Sequence, residues 1–289
     1  MAQFCGNYRL EDRLNEGGMA EIFIADGPDQ RHVIIRRLLP KYRFDLKKRR
    51  DFIRGLRIQQ RMHHRNVVKV IELTTRALYP FAVMEFVGGM NLRQAFLRKD
   101  SVVQTPLPIF HQMLLGLQHI HSHGFLHLDF KPENILLQPD GQARIADFDL
   151  SQPILKTPRK QPSVQGTPAY LAPEQIRKEP VDRRTDIFAL GLTAFELFTW
   201  RKPLARGQRD EIFSAYCDNN HAFPAPNTLN PAIPEALSQI ISGCIQKKSD
   251  DRFSSVTQIL RDFEGTHLLK NPEAIRPPDA ETSWSNLDS

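Results

Sequence analysis

Eight residues, H-L-D-F-K-P-E-N at 127–134, set a carboxylate, an ammonium and an amide within six positions. Asp129 offers an acceptor for a proton, Lys131 a point cation for an anionic group, and Asn134 a carbonyl oxygen for a hard metal ion. Thirteen residues after Asn134, the run D-F-D at 147–149 follows the strand-like A-R-I-A and adds two more carboxylates. Asp129, Asn134 and Asp147 together would suit Mg²⁺ and a triphosphate. A third feature is L-N-E-G-G-M-A-E-I-F at 14–23, a glycine turn between two strands that begins at Leu14. Without Cβ atoms, Gly17 and Gly18 would let backbone N–H groups approach a phosphate; an ordinary hairpin would look similar.

These groups need elements to hold them. Residues 8–36 carry short β-branched runs, E-I-F-I-A and H-V-I-I-R, broken by N-E-G-G and D-G-P-D, which predict strands joined by tight turns. A basic helix is expected over 44–62, then two further strands in V-V-K-V-I-E-L and F-A-V-M-E-F. After Gly88 and Gly89 the period becomes helical, first in P-L-P-I-F-H-Q-M-L-L-G-L-Q-H-I-H. The apolar run D-I-F-A-L-G-L-T-A-F-E-L-F-T-W suits a central buried helix. Helices are also expected over 234–246 and 254–264, and a tail from about 266 rich in Pro, Ser and acids is expected to be disordered.

The order of the motifs is more specific than any one of them. A glycine turn, a cation ending a strand, D-x-K-P-E-N, D-F-x, G-T-P-A-Y-L-A-P-E, D-x-x-x-L-G and a late D-R-F follow one another. This succession resembles the protein serine/threonine kinase family, especially its bacterial members, over residues 8 to about 264. The resemblance implies an α+β bilobal fold: a small five-stranded antiparallel N-lobe with one helix over 8–87, and a larger, mainly helical C-lobe over 88–265. ATP and Mg²⁺ would bind between the lobes. Asp129 then corresponds to the base that accepts the substrate hydroxyl proton, Lys131 to the cation on the transferring phosphoryl group, and Asn134 and Asp147 to the metal ligands. Met84 resembles the gatekeeper, Glu85 and Val87 would offer backbone groups to adenine, and Ile22 and Leu136 would sandwich its ring. Glu174 would pair with Arg252, and Thr167 matches serine/threonine specificity. The run His119, His121, His123, His127 invites a metal site, but the family pattern reads His121 and His127 as packing residues.

Several positions depart from the family. Arg36 stands where the nucleotide-gripping lysine is expected, and its planar guanidinium cannot simply replace an ammonium. The helix glutamate that should pair with it falls on Gly55, which is expected to loosen the helix by roughly 1 kcal/mol relative to alanine. Ile34 replaces the alanine that lies against adenine and narrows that slot. Gln59 replaces an apolar member of the stack joining the lobes, and Asn15 replaces a loop glycine. Asp149 replaces the glycine of D-F-G, removing a flexible hinge and adding a negative charge beside the metal site, where it would offer a further ligand. Leu128 replaces the arginine that receives an activation-loop phosphate, so that switch is not expected. Three readings follow: weak or lost transfer to protein Ser/Thr, a pseudokinase acting as a scaffold or allosteric module, and a fully active kinase. Restoring Ile34→Ala, Arg36→Lys and Gly55→Glu together is expected to raise turnover if the N-lobe limits it.

Composition bounds the remainder. The chain has 289 residues, 40% hydrophobic and 25% charged, with no apolar run near the roughly 18 needed to span a membrane. Its start lacks secretory-signal character, and Cys5, Cys217 and Cys244 have neither disulfide-framework nor zinc spacing; a cytoplasmic location is expected. Net charge is +6, but the segment from Arg31 to Lys69 has fourteen Lys or Arg against two Asp, near +12. A solvated helix face accounts for such a run, as does a docking surface for an acidic protein, nucleic acid or anionic membrane. Nucleic acid is disfavoured because the run does not interleave aromatics with cations as a single-strand platform would.

Overall fold

Apolar residues alternating with period two through residues 20–38 fold as strands whose two faces meet different surroundings. The computed structural model describes residues 3–275 apart from 17, 158, 161, 205–207 and 219, with backbone alone at 3, 15 and 16. Gly17, the side chain of Asn15 and residues 276–289 lie outside the described residues. The N-lobe strands are β1 (Gln3–Cys5), β2 (Tyr8–Glu16), β3 (Ala20–Asp26) and β4 (His32–Leu38). Helix α1 (Leu46–Gln60) and strands β5 (Val70–Thr74) and β6 (Phe81–Glu85) complete it. The sheet is antiparallel in the order β1-β2-β3-β4-β6-β5. β2 to β6 are the five expected strands, and β1 extends the edge through Gln3 opposite Leu10.

Phe23, Ile35 and Val83 share one face of the sheet, in a core with Cys5, Leu10 and Phe81. Two-residue spacing puts Ile34 and Arg36 on the other face, where α1 packs through Phe52 and Leu56. Asp45 caps α1 by accepting from the Lys48 N–H. The helix buries Phe52, Gly55, Leu56 and Gln59, a stripe at i, i+3, i+4 and i+7.

The C-lobe runs through β7 (Met90–Asn91), α2 (Leu92–Arg98), α3 (Pro106–Ser122), β8 (Phe125–Leu126), β9 (Ile135–Leu137), β10 (Ala143–Ile145) and β11 (Gln152–Pro153). It continues as α4 (Pro173–Ile176), α5 (Arg183–Thr199), α6 (Arg209–Cys217), α7 (Pro226–Leu229), α8 (Glu235–Cys244) and α9 (Val256–Gly265). α5 is buried on every side from Thr185 onward, as its apolar run requires. Gly191 is needed there, since a Cβ would lie 2.5 Å from that of Cys244. Residues 266–275 are folded, with Ile275 in the main core and Leu268 and Leu269 packed on it. Cys5 and Cys244 are buried free thiols, and burial raises the pKa of each. Arg252 forks onto Glu174 at 2.7 and 2.9 Å, and Thr185 Oγ1 also donates to Glu174.

Candidate active site

The loop 127–134 is fixed from below by Asp186, the first residue of D-x-x-x-L-G. Its carboxylate accepts the backbone N–H groups of His127 and Leu128 at 2.8 and 2.7 Å and meets His121 Nε2 at 2.8 Å. Three partners on one buried carboxylate set the loop's backbone, including the left-handed conformation of Leu128 at φ 63°. His127 Nε2 faces the Ala146 carbonyl, and its ring meets Phe148 edge-on. His119 instead stacks with His64 and lies against His123, so the run of histidines divides between two places.

Above this base the expected catalytic groups converge. Lys131 Nζ donates to Asp129 Oδ2 and to Thr167 Oγ1, both at 2.8 Å. The Asn134 amide nitrogen donates to the Asp129 carbonyl at 2.8 Å and its Oδ2 at 3.1 Å. Asp147, at φ 62°, faces the same space, because Ala146 N–H donates to the Asn134 carbonyl and ties the D-F-D segment to the loop. Arg93 holds the neighbouring region, binding Glu133 at 3.0 Å and forming further bonds with Glu196 and Tyr170. Sequence reasoning missed Arg93 and gave no role to Asp186; an arginine two residues after G-G-M-N was the only signal for the first.

The N-lobe side differs most from expectation. Arg36 Nη2 bridges two carboxylates, Asp147 Oδ1 at 2.9 Å and Asp149 Oδ2 at 2.7 Å. Its guanidinium is buried and lies over the Phe52 ring at 5.7 Å. Burial pushes the Asp147 carboxyl up, but Arg36, the hydrogen bond from the Asp149 N–H and the nearby His127 and Lys131 together outweigh this and hold it below the usual carboxylate range. Burial raises Asp149 further, Arg36 offsets only part of that, and facing Asp147 adds to it, leaving Asp149 at about 6. Gly55 has a packing reason: a Cβ there would lie 2.5 Å from the Phe148 carbonyl oxygen and 3.1 Å from Asp149 Cα. Instead of loosening α1, the glycine lets it lie directly on the D-F-D backbone. The helix glutamate of the family has no room in this arrangement, so the Gly55→Glu restoration would first displace α1. Gln59 is fully buried and donates to the Val68 carbonyl at 2.9 Å, which compensates half of its amide.

For the adenine slot, Ile34, Val87 and Leu136 pack on one cluster with Met84. Ile22 pairs in register with Arg36, and Ile34 with Met84. The Glu85 carboxylate is committed to Lys69 N–H and to Arg144. Leu14 is exposed, and the space over Gly18 is open, with no atom within 4 Å of a built Cβ. Asn134, Asp147 and Asp149 supply the oxygen donors that Mg²⁺ prefers. Asp149 Oδ1 and Arg36 Nη1 are buried and unpartnered among the described residues. The cluster therefore has an acceptor to spare for a metal and a donor to spare for a phosphate, so the residues fit both, with Asp147 shared between metal and Arg36.

Comparison with known proteins decides the family. The protein kinase domain model matches residues 8–263. The chain belongs to the protein kinase family. Among its relatives, the probable serine/threonine-protein kinase PkwA of Thermomonospora curvata is 31% identical, over 96% of this chain and 38% of its own. The serine/threonine-protein kinase PknD of Chlamydia pneumoniae is 29% identical over 96% of this chain and 33% of its own. The tyrosine-protein kinase MasK of Myxococcus xanthus is 31% identical over 91% and 44%. This kinase domain thus spans less than half the length of each of the three. Among the described residues no helix is long and apolar enough to cross a membrane.

Proposed function

We propose that this kinase domain transfers the ATP γ-phosphoryl group to protein serine or threonine at a rate held low by an internal latch. The observation that carries this is Arg36 Nη2 lying between Asp147 and Asp149. The transfer half supports activity: Lys131 is joined to Asp129 and Thr167, so that Asp129 would accept the hydroxyl proton and Lys131 would steady the transferring phosphoryl group. Asn134 and Asp147 would hold Mg²⁺, which supplies neutralisation of phosphate charge when bound. Nucleotide must draw Arg36 towards its phosphates, through Nη1 or by release from Asp149, before the two halves face each other productively. Holding the guanidinium between two carboxylates opposes that move, because charge-assisted bonds in a buried site are the strong ones.

The test begins with melting temperature in ATP and Mg²⁺, since a ligand of the folded state stabilises it. A rise at millimolar nucleotide is expected, with slow γ-phosphate transfer that Asp129→Asn abolishes. No rise would sink the enzyme reading and leave a kinase-shaped binding module, the pseudokinase alternative. A rise with equal transfer by the Asp129→Asn variant would assign the signal to contamination.

A further inference from the structure

A recess of about 830 Å³ lies away from the nucleotide site. It runs along the outer side of α1, bounded by the turn after β5 and floored by β8 and β11. Six arginines line it, Arg49, Arg50, Arg54, Arg57, Arg61 and Arg76, and no carboxylate does. Two have structural duties: Arg49 donates to the carbonyls of Thr75, Ala77 and Leu78, and Arg54 pairs with Asp51 at 2.9 Å. Arg61 lies 5.9 Å over the Phe125 ring. Arg50, Arg57 and Arg76 are exposed and have no anionic partner among the described residues. Between the cations the surface is apolar, from the outward Leu46, 80% exposed, through Ile53 to Phe125 and Pro153.

We propose that this groove docks an extended acidic segment of a partner protein in which carboxylates alternate with apolar side chains. Charge complementarity carries the choice: guanidinium groups pair carboxylates bidentately, and those of Arg50, Arg57 and Arg76 have no carboxylate partner among the described residues. Arg50, Arg54, Arg57 and Arg61 recur at i, i+4, i+7 and i+11, one stripe about 16 Å long at 1.5 Å per residue. That length takes about five residues of extended chain, whose alternate side chains point to opposite sides and so meet arginine and apolar surface in turn. A bilayer is a poorer match, since cations that bind lipid stand out from a surface whereas these line a recess. The proposal is independent of the latch.

The probe is a fluorescein-labelled peptide, Glu-Leu-Glu-Phe-Glu-Leu-Glu, followed by anisotropy at 50 and 200 mM salt. Binding is expected, weakening several-fold across that range as exposed charges are screened. Arg50→Glu with Arg57→Glu and Arg76→Glu should weaken it at least tenfold. Lys41→Glu with Lys47→Glu, which removes cations outside the groove, should change it less than twofold. If the triple variant does not fold, Arg57→Glu alone, an exposed position, should still weaken binding by threefold or more. Equal loss in both variants, equal binding of the Glu→Lys peptide, or tighter binding to phosphatidylserine vesicles or a DNA duplex would each overturn the proposal.

Discussion

Asp149 shows how one substitution acquires meaning from another. From the sequence it was an added charge and a lost hinge; in the fold it is the second anchor of Arg36. Because its folded value of about 6 stands above that of an unfolded aspartate, the folded state takes up a proton as pH falls from 7 towards 5. Stability contributed through this group therefore rises as pH falls through that window. Asp147, held low, works in the opposite direction, its contribution being lost only as pH falls below the ordinary carboxylate range. Melting temperatures from pH 7 to 5 should accordingly improve in the wild type relative to Asp149→Asn, and parallel curves would contradict the assignment. Asp149→Gly, which releases one arm of the latch, should raise γ-phosphate transfer several-fold if release limits the rate.

At the scale of elements, α1 carries two surfaces with different tasks. Its inner face touches Phe148 and Asp149 through Gly55, and its outer face forms the arginine groove. Gly55→Ala tests the inner contact. Helix propensity alone would favour alanine by about 1 kcal/mol, but a methyl group 2.5 Å from a backbone oxygen imposes overpacking of about 1–3 kcal/mol. The clash should prevail, so the melting temperature falls; a rise would mean that α1 stands free of D-F-D. Much of the architecture was legible, because two-residue alternation and the buried run of α5 are strong local signals. The Asp129, Lys131 and Asn134 cluster was legible too, since five residues and one short 3₁₀ turn hold it together. Arg36 with Asp149 was not, because 113 positions separate them and neither side chain names its partner. Gly55 was misread for a related reason: a glycine's purpose lies in the atom that approaches it, here a carbonyl distant in sequence.

Across the whole molecule, the two lobes are joined by the chain at 85–90 and by backbone bonds from Val68 to Ile145 and from Ile145 to Asn66. Nucleotide drawn between them would therefore be felt in both, and the ATP-dependent melting shift should appear as a single transition. The segment after D-F-D is attached differently. Leu128 sits in a small cluster with Leu126 and Val181, against Leu150 and Ile154, while β11 pairs with β8. The apolar part of this attachment rests on water exclusion, which weakens on cooling and strengthens in sulfate. A phosphate tied to arginine would show the reverse sensitivity to salt. Limited proteolysis after residue 154 should be faster at 4 °C than at 25 °C once corrected for protease activity, and slower in sulfate. With Leu128 in that cluster, the segment after D-F-D is held to β8 in part by a contact that carries no charge, and temperature alone should shift how firmly it is held.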